Sequence, residues 1–202
     1  MGIPFDRLGW LFARWGHRTY PEWAEPILRD WLAERPEGAR IVDLGGGTGV
    51  LTRMARRLRP GLDYWIVDPA GGMLRHAPEG ARTLAARAEA LPFEDASVDG
   101  VMIGEALHHF TDPQAALAEV ARVLRPGGGL WIYDFDPGRG VGRWVYWGER
   151  LVGEPANFFA PEALEALLEG LGFATRTHAR KGRYVLTATA SAEKPREAVP
   201  LG

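Results

Sequence analysis

From residue 40 onward, short apolar runs alternate with helix-like segments, and this alternation limits the fold more than any other feature. The first run, Arg40–Leu44, ends in a cluster of glycines, after which apolar residues recur at helical spacing from Leu51 to Leu58. Repeated strand–helix units are typical of α/β domains built on a mostly parallel sheet. A polar turn separates the last two runs, so we expect them to pair as an antiparallel hairpin. The other strand-like runs cover residues 64–67, 83–86, 98–103, 130–133, 173–178 and 184–190.

Cap and breaker residues predict where two of the helices begin and end. Asp112 followed by Pro113 is a typical N-cap with a first-turn proline. The segment Arg125–Gly129 contains a cation, a proline and three glycines, and it is predicted to stop that helix. Pro161 is predicted to begin another helix, which precedes the final hairpin.

The 202 residues are predicted to form one domain of ordinary size. The absence of cysteine excludes disulfides, thiolate nucleophiles and Cys-ligated metal centres. A formal net charge of −2 disfavours a dedicated nucleic-acid-binding protein. No uncharged apolar run approaches the roughly 18 residues that a membrane span needs, and the N-terminus lacks the pattern of a signal peptide. We therefore expect a cytoplasmic protein that neither inserts into membranes nor binds nucleic acid.

Two segments lie outside the alternation, an N-terminal helical cover at residues 1–38 and a second segment at 135–160, and they contain six of the eight tryptophans. One interpretation is that these tryptophans fill the packing faces of amphipathic helices. The other is that both segments close over the carboxyl edge of the sheet and form an apolar pocket. Within a single domain at 1–190, residues 39–134 would form the cofactor-binding core and 161–190 the last helix and hairpin, followed by a flexible tail at 191–202. The six tryptophans are Trp10, Trp15, Trp23, Trp31, Trp144 and Trp147.

The strongest chemical signal is the segment Val42–Gly49, in which Asp43 precedes a Gly-x-Gly-x-Gly loop. Glycine lets the chain reverse within a few residues and lets a ligand approach the backbone closely. Dinucleotide-binding loops end in glycine or alanine where this chain has Val50, which disfavours a nicotinamide cofactor, and the absence of a following lysine excludes a triphosphate-binding loop. About twenty residues further on, Asp68 ends the second strand, where a carboxylate can accept hydrogen bonds from both hydroxyls of a ribose.

Three later segments, together with the glycine loop and Asp68, make the sequence resemble the class I S-adenosylmethionine-dependent methyltransferases. The resemblance is greatest to the type 11 small-molecule branch, which includes the ubiquinone and menaquinone biosynthesis enzymes, and it runs from about Phe5 to Ala190. It implies a Rossmann-like sheet of seven strands in the order 3-2-1-4-5-7-6, with strand 7 antiparallel and helices on both faces. The three segments are Ala88–Asp99, Glu105–Phe110 and Leu124–Gly128, and Phe158–Leu164 is also similar.

The resemblance implies that the chain binds S-adenosyl-L-methionine. Asp43 and the glycine loop would face the methionine part of this cofactor, Asp68 would hold its ribose, and Glu105 would lie near its sulfonium. Members of the family usually have an aspartate where this chain has Arg87, so adenine recognition would depend on backbone groups near Ala88 or on Glu89. The full implied set is Asp43, Gly45, Gly46, Gly47, Gly49, Asp68, Pro69, Met73, Ala88, Glu89 and Glu105.

The candidate general bases are His109, His108 and Glu105, because they follow the fourth strand at the reactive edge of the sheet. A base is needed only if the acceptor carries a proton. The alternative is that one histidine packs under the sheet edge while the other is solvated or caps a turn. Adjacent histidines rarely face one ion, so we predict no metal site. Arg14 or Arg18 could face the cofactor carboxylate, or both could be surface residues.

Together these features predict a methyltransferase that acts on a small, apolar or aromatic molecule by in-line transfer. Holding two reactants in line can supply up to about 7–11 kcal/mol of the barrier reduction. The first alternative is a protein that binds S-adenosylmethionine without transferring its methyl group, as a regulator or degenerate paralogue would. A more distant alternative is an NAD-dependent oxidoreductase.

Overall fold

The computed structural model describes residues 20–152 and 157–191. In this part of the chain, seven strands form one sheet in the order β3-β2-β1-β4-β5-β7-β6. The first five strands pair in parallel, and β7 runs antiparallel to both β5 and β6. The strand order and the direction of β7 confirm the prediction. The strands are β1 Arg40–Leu44, β2 Asp63–Val67, β3 Arg82–Leu84, β4 Val98–Gly104, β5 Leu124–Phe135, β6 Phe173–Arg180 and β7 Arg183–Ala190.

Helices connect most of these strands and cover both faces of the sheet. The predicted cap of the helix after β4 is present, because the Asp112 carboxylate accepts a hydrogen bond from the Ala115 backbone N–H at 3.0 Å. A short 3₁₀ turn at Leu107–His109 precedes that helix. The helices are α1 Ala24–Ala33, α2 Val50–Leu58, α3 Gly71–Leu74, α4 Pro113–Val123, α5 Gly140–Val152 and α6 Pro161–Gly170.

The alternation of side chains along the strands divides the core into two layers. On β4, Met102 packs into the layer covered by α1 and α2, whereas Val101 and Ile103 pack into the opposite layer, to which α4 and α6 contribute. Both faces of β4 are therefore buried, as expected for a central parallel strand. Because helices occupy both faces, the edge formed by the carboxyl ends of β1, β2, β4 and β5 is where a ligand would bind.

The tryptophans of the two outlying segments do not share one environment. Trp31, on the buried face of α1, packs into the core, and a Cβ atom at Gly100, near the start of β4, would lie 2.8 Å from its ring. Trp31 therefore fills a packing face at the amino-terminal part of the strands, far from the ligand edge. Trp144 and Trp147, on α5, are 75% and 56% exposed. The predictions for Trp10, Trp15, Arg14, Arg18 and the tail lie outside the described residues.

Two predicted boundaries were wrong. β3 covers only Arg82–Leu84 instead of extending to residue 86. The segment Arg125–Gly129 belongs to β5, which begins at Leu124 directly after α4. Leu124 already pairs with Val98, and the register then shifts before Gly129 pairs with Gly100. Local glycine and proline signals therefore predicted the end of the helix but missed the irregular strand pairing that follows it.

Arg122 of α4 anchors the segment that precedes β4. Its guanidinium donates hydrogen bonds to the backbone carbonyls of Phe93 and Leu91, at 2.9 and 3.0 Å. It also donates to the Glu119 and Asp95 carboxylates at 2.7–2.8 Å. Hydrogen bonds of this kind hold the long connection between β3 and β4 against α4.

Replacing Arg122 by methionine, which keeps most of the aliphatic stem, is expected to lower the free energy of unfolding by about 2–4 kcal/mol. The loss would come from carbonyl and carboxylate groups left without their charged donor. Arg29→Met is the matched control, since the Arg29 ion pair with Glu25 is exposed on α1 and should contribute less than about 0.5 kcal/mol. Urea denaturation of both variants measures the difference, and an equal loss would contradict the anchoring role.

Candidate active site

The loop between β1 and α2 is shaped by glycines with left-handed backbone conformations. Gly45, Gly47 and Gly49 have φ values of 70°, 51° and 75°. A Cβ atom at Gly45 would lie 2.7 Å from the Ala106 Cβ atom, and one at Gly49 would lie 2.6 Å from Ile66 Cδ1. Both the conformation and the close neighbours therefore require glycine at these two positions. The loop places its backbone N–H groups at the carboxyl edge of the sheet.

Asp43 lies beneath this loop and is buried. Its Oδ2 atom accepts hydrogen bonds from the Thr52 backbone N–H at 3.0 Å and from the Thr52 hydroxyl at 2.6 Å. Its Oδ1 atom is buried without a hydrogen-bond partner among the described residues. Burial raises the pKa of Asp43 to about 6, although the Thr52 hydrogen bonds act in the opposite direction. Gly46 passes directly over the carboxylate, because a Cβ atom there would lie 2.6 Å from Asp43 Cγ.

Asp68 follows β2 and ties the glycine loop to the neighbouring strand. Its two oxygens accept hydrogen bonds from the Gly47 N–H at 2.9 Å and the Ala70 N–H at 2.8 Å. These two hydrogen bonds fix the Asp68 carboxylate at the rim of the glycine loop, at the carboxyl end of β2. Met73 packs beside it, since a Cβ atom at Gly47 would lie 3.0 Å from Met73 Cε. Asp43, Gly47, Asp68 and Met73, predicted from separate motifs, therefore meet around one cradle.

A cleft opens beside this cradle. It brings together five of the predicted site residues, Gly45, Pro69, Ala88, Glu89 and His109. Its remaining walls come from the ends of β1 and β2, from the connection after β3 and from the turn after β4. These other lining residues are Leu44, Val67, Ala86, Arg87, Phe110 and Thr111.

Glu89 is held in this cleft by two contacts. Its carboxylate accepts a hydrogen bond from the Asp112 backbone N–H at 3.1 Å and forms an ion pair with Arg87 at 3.3 Å. Partial burial opposes ionisation, but the backbone hydrogen bonds and Arg87 together lower the pKa of Glu89. Arg87 is mostly exposed. The Asp112 N–H and the exposed Arg87 side chain therefore both contact the Glu89 carboxylate at the rim of the cleft.

Glu105 directly follows β4 and has a strained backbone conformation. Its φ value is 51°, a region that favours glycine, and its N–H donates to the Tyr133 carbonyl at 2.8 Å. Strain of this kind is concentrated at functional sites. Tyr20 and Tyr133 meet nearby with ring centroids 5.2 Å apart. Burial, together with the negative charges of Asp43 and Glu105, raises the pKa of Tyr20 well above its usual value.

Glu105→Gly is expected to raise the free energy of unfolding by about 0.5–1 kcal/mol, because glycine adopts this conformation without steric strain. Ala96→Gly is the matched control, since Ala96 has a similar φ value of 49° and lies outside the cleft and the glycine loop. Urea denaturation should show stabilisation for both variants. A clear loss of stability in Glu105→Gly alone would contradict this prediction. It would show that contacts of the Glu105 side chain stabilise the fold by more than its backbone strain destabilises it.

The two candidate histidines occupy different environments. His108 is buried, with Nδ1 2.7 Å from Asp134 Oδ1, and its ring stacks on Phe158 at a centroid distance of 4.2 Å. His109 lines the cleft, and the two imidazole rings lie 4.1 Å apart. Among the described residues, no group of three potential metal ligands is close enough together to bind an ion.

Sequence reasoning missed three residues of this edge, Tyr20, Asp134 and Phe158. Asp134 could have been noticed, because it ends the fifth strand as Asp43 ends the first. Tyr20 lies in an outlying segment where no motif distinguishes it from packing residues, and Phe158, although it begins a segment similar to the family, had no predicted role.

Comparison with known proteins shows the family to which the chain belongs. A family profile described as "Methyltransferase domain" matches residues 42–132. Demethylmenaquinone methyltransferase of Thermus thermophilus is 35% identical over 173 residues, which cover 72% of this chain and 79% of that protein. The chain belongs to the class I S-adenosylmethionine-dependent methyltransferases. A Thermotoga maritima structure, described as a SAM-dependent methyltransferase and possible histamine N-methyltransferase, matches with a TM-score of 0.73 and 27% identity, and covers 93% of this chain and 98% of that chain.

The chain is also similar to an uncharacterized methyltransferase of Mycobacterium tuberculosis, with 45% identity over 121 residues. That match covers 58% of this chain and 46% of the relative, so the chain spans about half the length of the first curated relatives that it matches. Within the described residues, none of the helices combines the length and apolar character needed to cross a bilayer.

Membership of this methyltransferase family implies S-adenosylmethionine as the cofactor, and the residues at the carboxyl edge fit it. The glycine loop leaves space that a Cβ atom at Gly47 would occupy. Asp68 offers carboxylate oxygens at the edge of that space, and Glu89 offers a charged acceptor in the adjoining cleft. The buried, partnerless Oδ1 atom of Asp43 is a further acceptor beneath the loop.

Proposed function

We propose that this protein transfers a methyl group from S-adenosylmethionine to a small, apolar or aromatic acceptor. The observation that carries the proposal is the convergence of Asp43, Gly47 and Asp68 on one cradle that opens into the cleft at Glu89. When bound, the cofactor supplies an electrophilic methyl group, so the protein needs no nucleophile of its own. The chain's residues would bind and orient both molecules and exclude water between them.

Each part of the cradle has a proposed role toward the cofactor. Asp68 would accept hydrogen bonds from the ribose hydroxyls, while Pro69 and Met73 would contact the adenosine. Glu89, held ionised by the Asp112 N–H and Arg87, would accept from the adenine amino group in place of the family's aspartate. Asp43 and the glycines would face the methionine part, and Glu105 would place a negative charge near the sulfonium.

An aromatic cluster at the same edge supports an aromatic acceptor. Phe158 packs edge-to-face against Phe135 and Tyr146, with ring centroids 6.5 and 5.9 Å apart. Aromatic walls of this kind favour planar, apolar ligands. The Thermus relative is named for demethylmenaquinone and the Thermotoga structure is described for histamine, and both of these molecules contain a planar ring.

His109 is the proposed general base for an acceptor that must lose a proton, because it lies in the turn that follows β4 at the carboxyl edge of the sheet. Glu105 is a second candidate at the end of β4. His108 is already engaged with Asp134 and buried, so we assign it a positioning role.

Calorimetry with S-adenosylmethionine and with its demethylated product tests the binding part of the proposal. Micromolar binding of both would support it, and titration with NAD tests the oxidoreductase alternative. Transfer of a labelled methyl group to small molecules tests the catalytic part. Binding without any transfer would favour a protein that binds the cofactor but is not an enzyme.

A further inference from the structure

A buried polar pair lies next to the cleft without direct access to solvent. The side chains of His108 and Asp134 are 2% and 3% exposed. Asp134 Oδ1 lies 2.7 Å from His108 Nδ1 and also accepts a hydrogen bond from the Phe135 backbone N–H at 2.8 Å. Because Asp134 Oδ1 already accepts a hydrogen bond from the Phe135 amide, we assign the hydrogen of the contact with the imidazole to His108 Nδ1.

This pair fixes an aromatic ring. The His108 imidazole stacks on Phe158 with an angle of 11° between the ring planes and a centroid distance of 4.2 Å. Phe158 is only half-buried, although Phe135 and Tyr146 contact it edge-on. Part of the Phe158 ring therefore remains exposed.

Backbone contacts join the same segment to the turn after β4. The Asn157 N–H donates to the His108 carbonyl at 3.1 Å, and the Asn157 side-chain amide donates to the Phe110 carbonyl at 2.8 Å. Phe110 lines the cleft, as does His109 beside it. The stack and these two hydrogen bonds hold the segment 157–160 against the wall of the cleft.

We propose that Asp134 is a positioning residue: it fixes the His108 imidazole, and that imidazole holds Phe158 as the wall on which a planar, uncharged ring of the acceptor packs. This inference rests on the proposed function, because it specifies the acceptor side of the same site. It assigns Asp134 and Phe158 a role in acceptor recognition and none in cofactor binding.

Menadione, a planar naphthoquinone, is a suitable probe because the chain has no cysteine with which it could react. We expect it to shift the NMR signals of Phe158 and His108 in the wild-type protein. Phe158→Leu and Asp134→Asn should each weaken menadione binding at least tenfold, whereas Phe158→Tyr should retain it within threefold. The affinity for S-adenosylmethionine should change less than twofold in all three variants.

Two further comparisons separate positioning from general stability. His108→Asn keeps a nitrogen donor near the position of Nδ1, whereas His108→Gln moves it away, so His108→Asn should retain more affinity for menadione. Amide hydrogen exchange at residues 157–159 should accelerate at least tenfold in Asp134→Asn and remain unchanged in the surface variant Asp30→Asn.

Absence of menadione binding to the wild-type protein, or equal affinity in Phe158→Leu and Phe158→Tyr, would overturn the proposal. So would a parallel loss of cofactor affinity in Asp134→Asn. These measurements do not depend on turnover. If the protein binds menadione as expected but transfers no methyl group, the proposed function is refuted, whereas the proposed role of Asp134 and Phe158 in binding a planar ring is still supported.

Discussion

Replacing Asp68 by alanine is expected to weaken S-adenosylmethionine binding at least 100-fold, the largest loss of affinity from a single substitution at this site. The variant removes the proposed acceptor for both ribose hydroxyls and also the acceptor for the Gly47 N–H. Hydrogen bonds to charged groups contribute about 1.5–3 kcal/mol each, so the loss of two such contacts corresponds to two or more orders of magnitude in affinity.

Calorimetry measures this effect, with Asp30→Ala as the matched control because Asp30 is exposed on α1. Asp68→Asn should fall between wild type and Asp68→Ala, since the amide oxygen still accepts one hydrogen bond while the charge is lost. Unchanged affinity in Asp68→Ala would remove Asp68 from the binding site and would reject the assignment of the cradle.

Replacing Asp43 by asparagine is expected to stabilise the fold above pH 6 by up to about 3 kcal/mol while weakening cofactor binding. Burial raises the pKa of Asp43 to about 6 in the folded protein, above the usual value for an aspartate. At pH values between the usual pKa of 3.8 and the folded-state pKa of about 6, the folded chain binds more protons than the unfolded chain. The free energy of unfolding therefore falls as pH rises through this range. Above pH 6 the buried charge has its full destabilising effect, which asparagine removes.

Urea denaturation between pH 4 and 8 tests this prediction. The stability difference between Asp43→Asn and wild type should be small near pH 4 and should grow to a plateau above pH 6. Asp30→Asn, which changes an exposed carboxylate, should show no such trend. If Asp43→Asn is less stable than wild type throughout this range, the hydrogen bonds from Thr52 must require a charged acceptor.

The cradle could be predicted from sequence because its geometry is local. Gly45 and Gly49 adopt left-handed conformations in which a Cβ atom would also collide with a neighbouring side chain. Asp43 and Asp68 lie at the ends of strands that are recognisable from their apolar runs. Parallel strands place their carboxyl ends at one edge, which explains why Asp43 and Asp68 lie beside the same loop. The strand order came from the family resemblance and could not have been obtained from periodicity alone.

The acceptor side could not be predicted because it depends on contacts between distant segments. His108 and Asp134 are 26 positions apart, and Phe158 lies 24 positions further along the chain. No local pattern distinguishes a stacked Phe158 from one that fills the core. Glu89 was a candidate for adenine recognition from the sequence, but its ion pair with Arg87 could not be predicted, because side-chain directions in an irregular segment follow no fixed period.

The most direct test of the central claim is the transfer of a labelled methyl group from S-adenosylmethionine to small molecules extracted from cells. The proposed function predicts at least one labelled product of low molecular mass, formed by the wild-type protein and by Asp30→Ala but at least 100-fold more slowly by Asp68→Ala. A protein that binds S-adenosylmethionine tightly and labels no small molecule in such extracts would contradict the assignment of transferase activity.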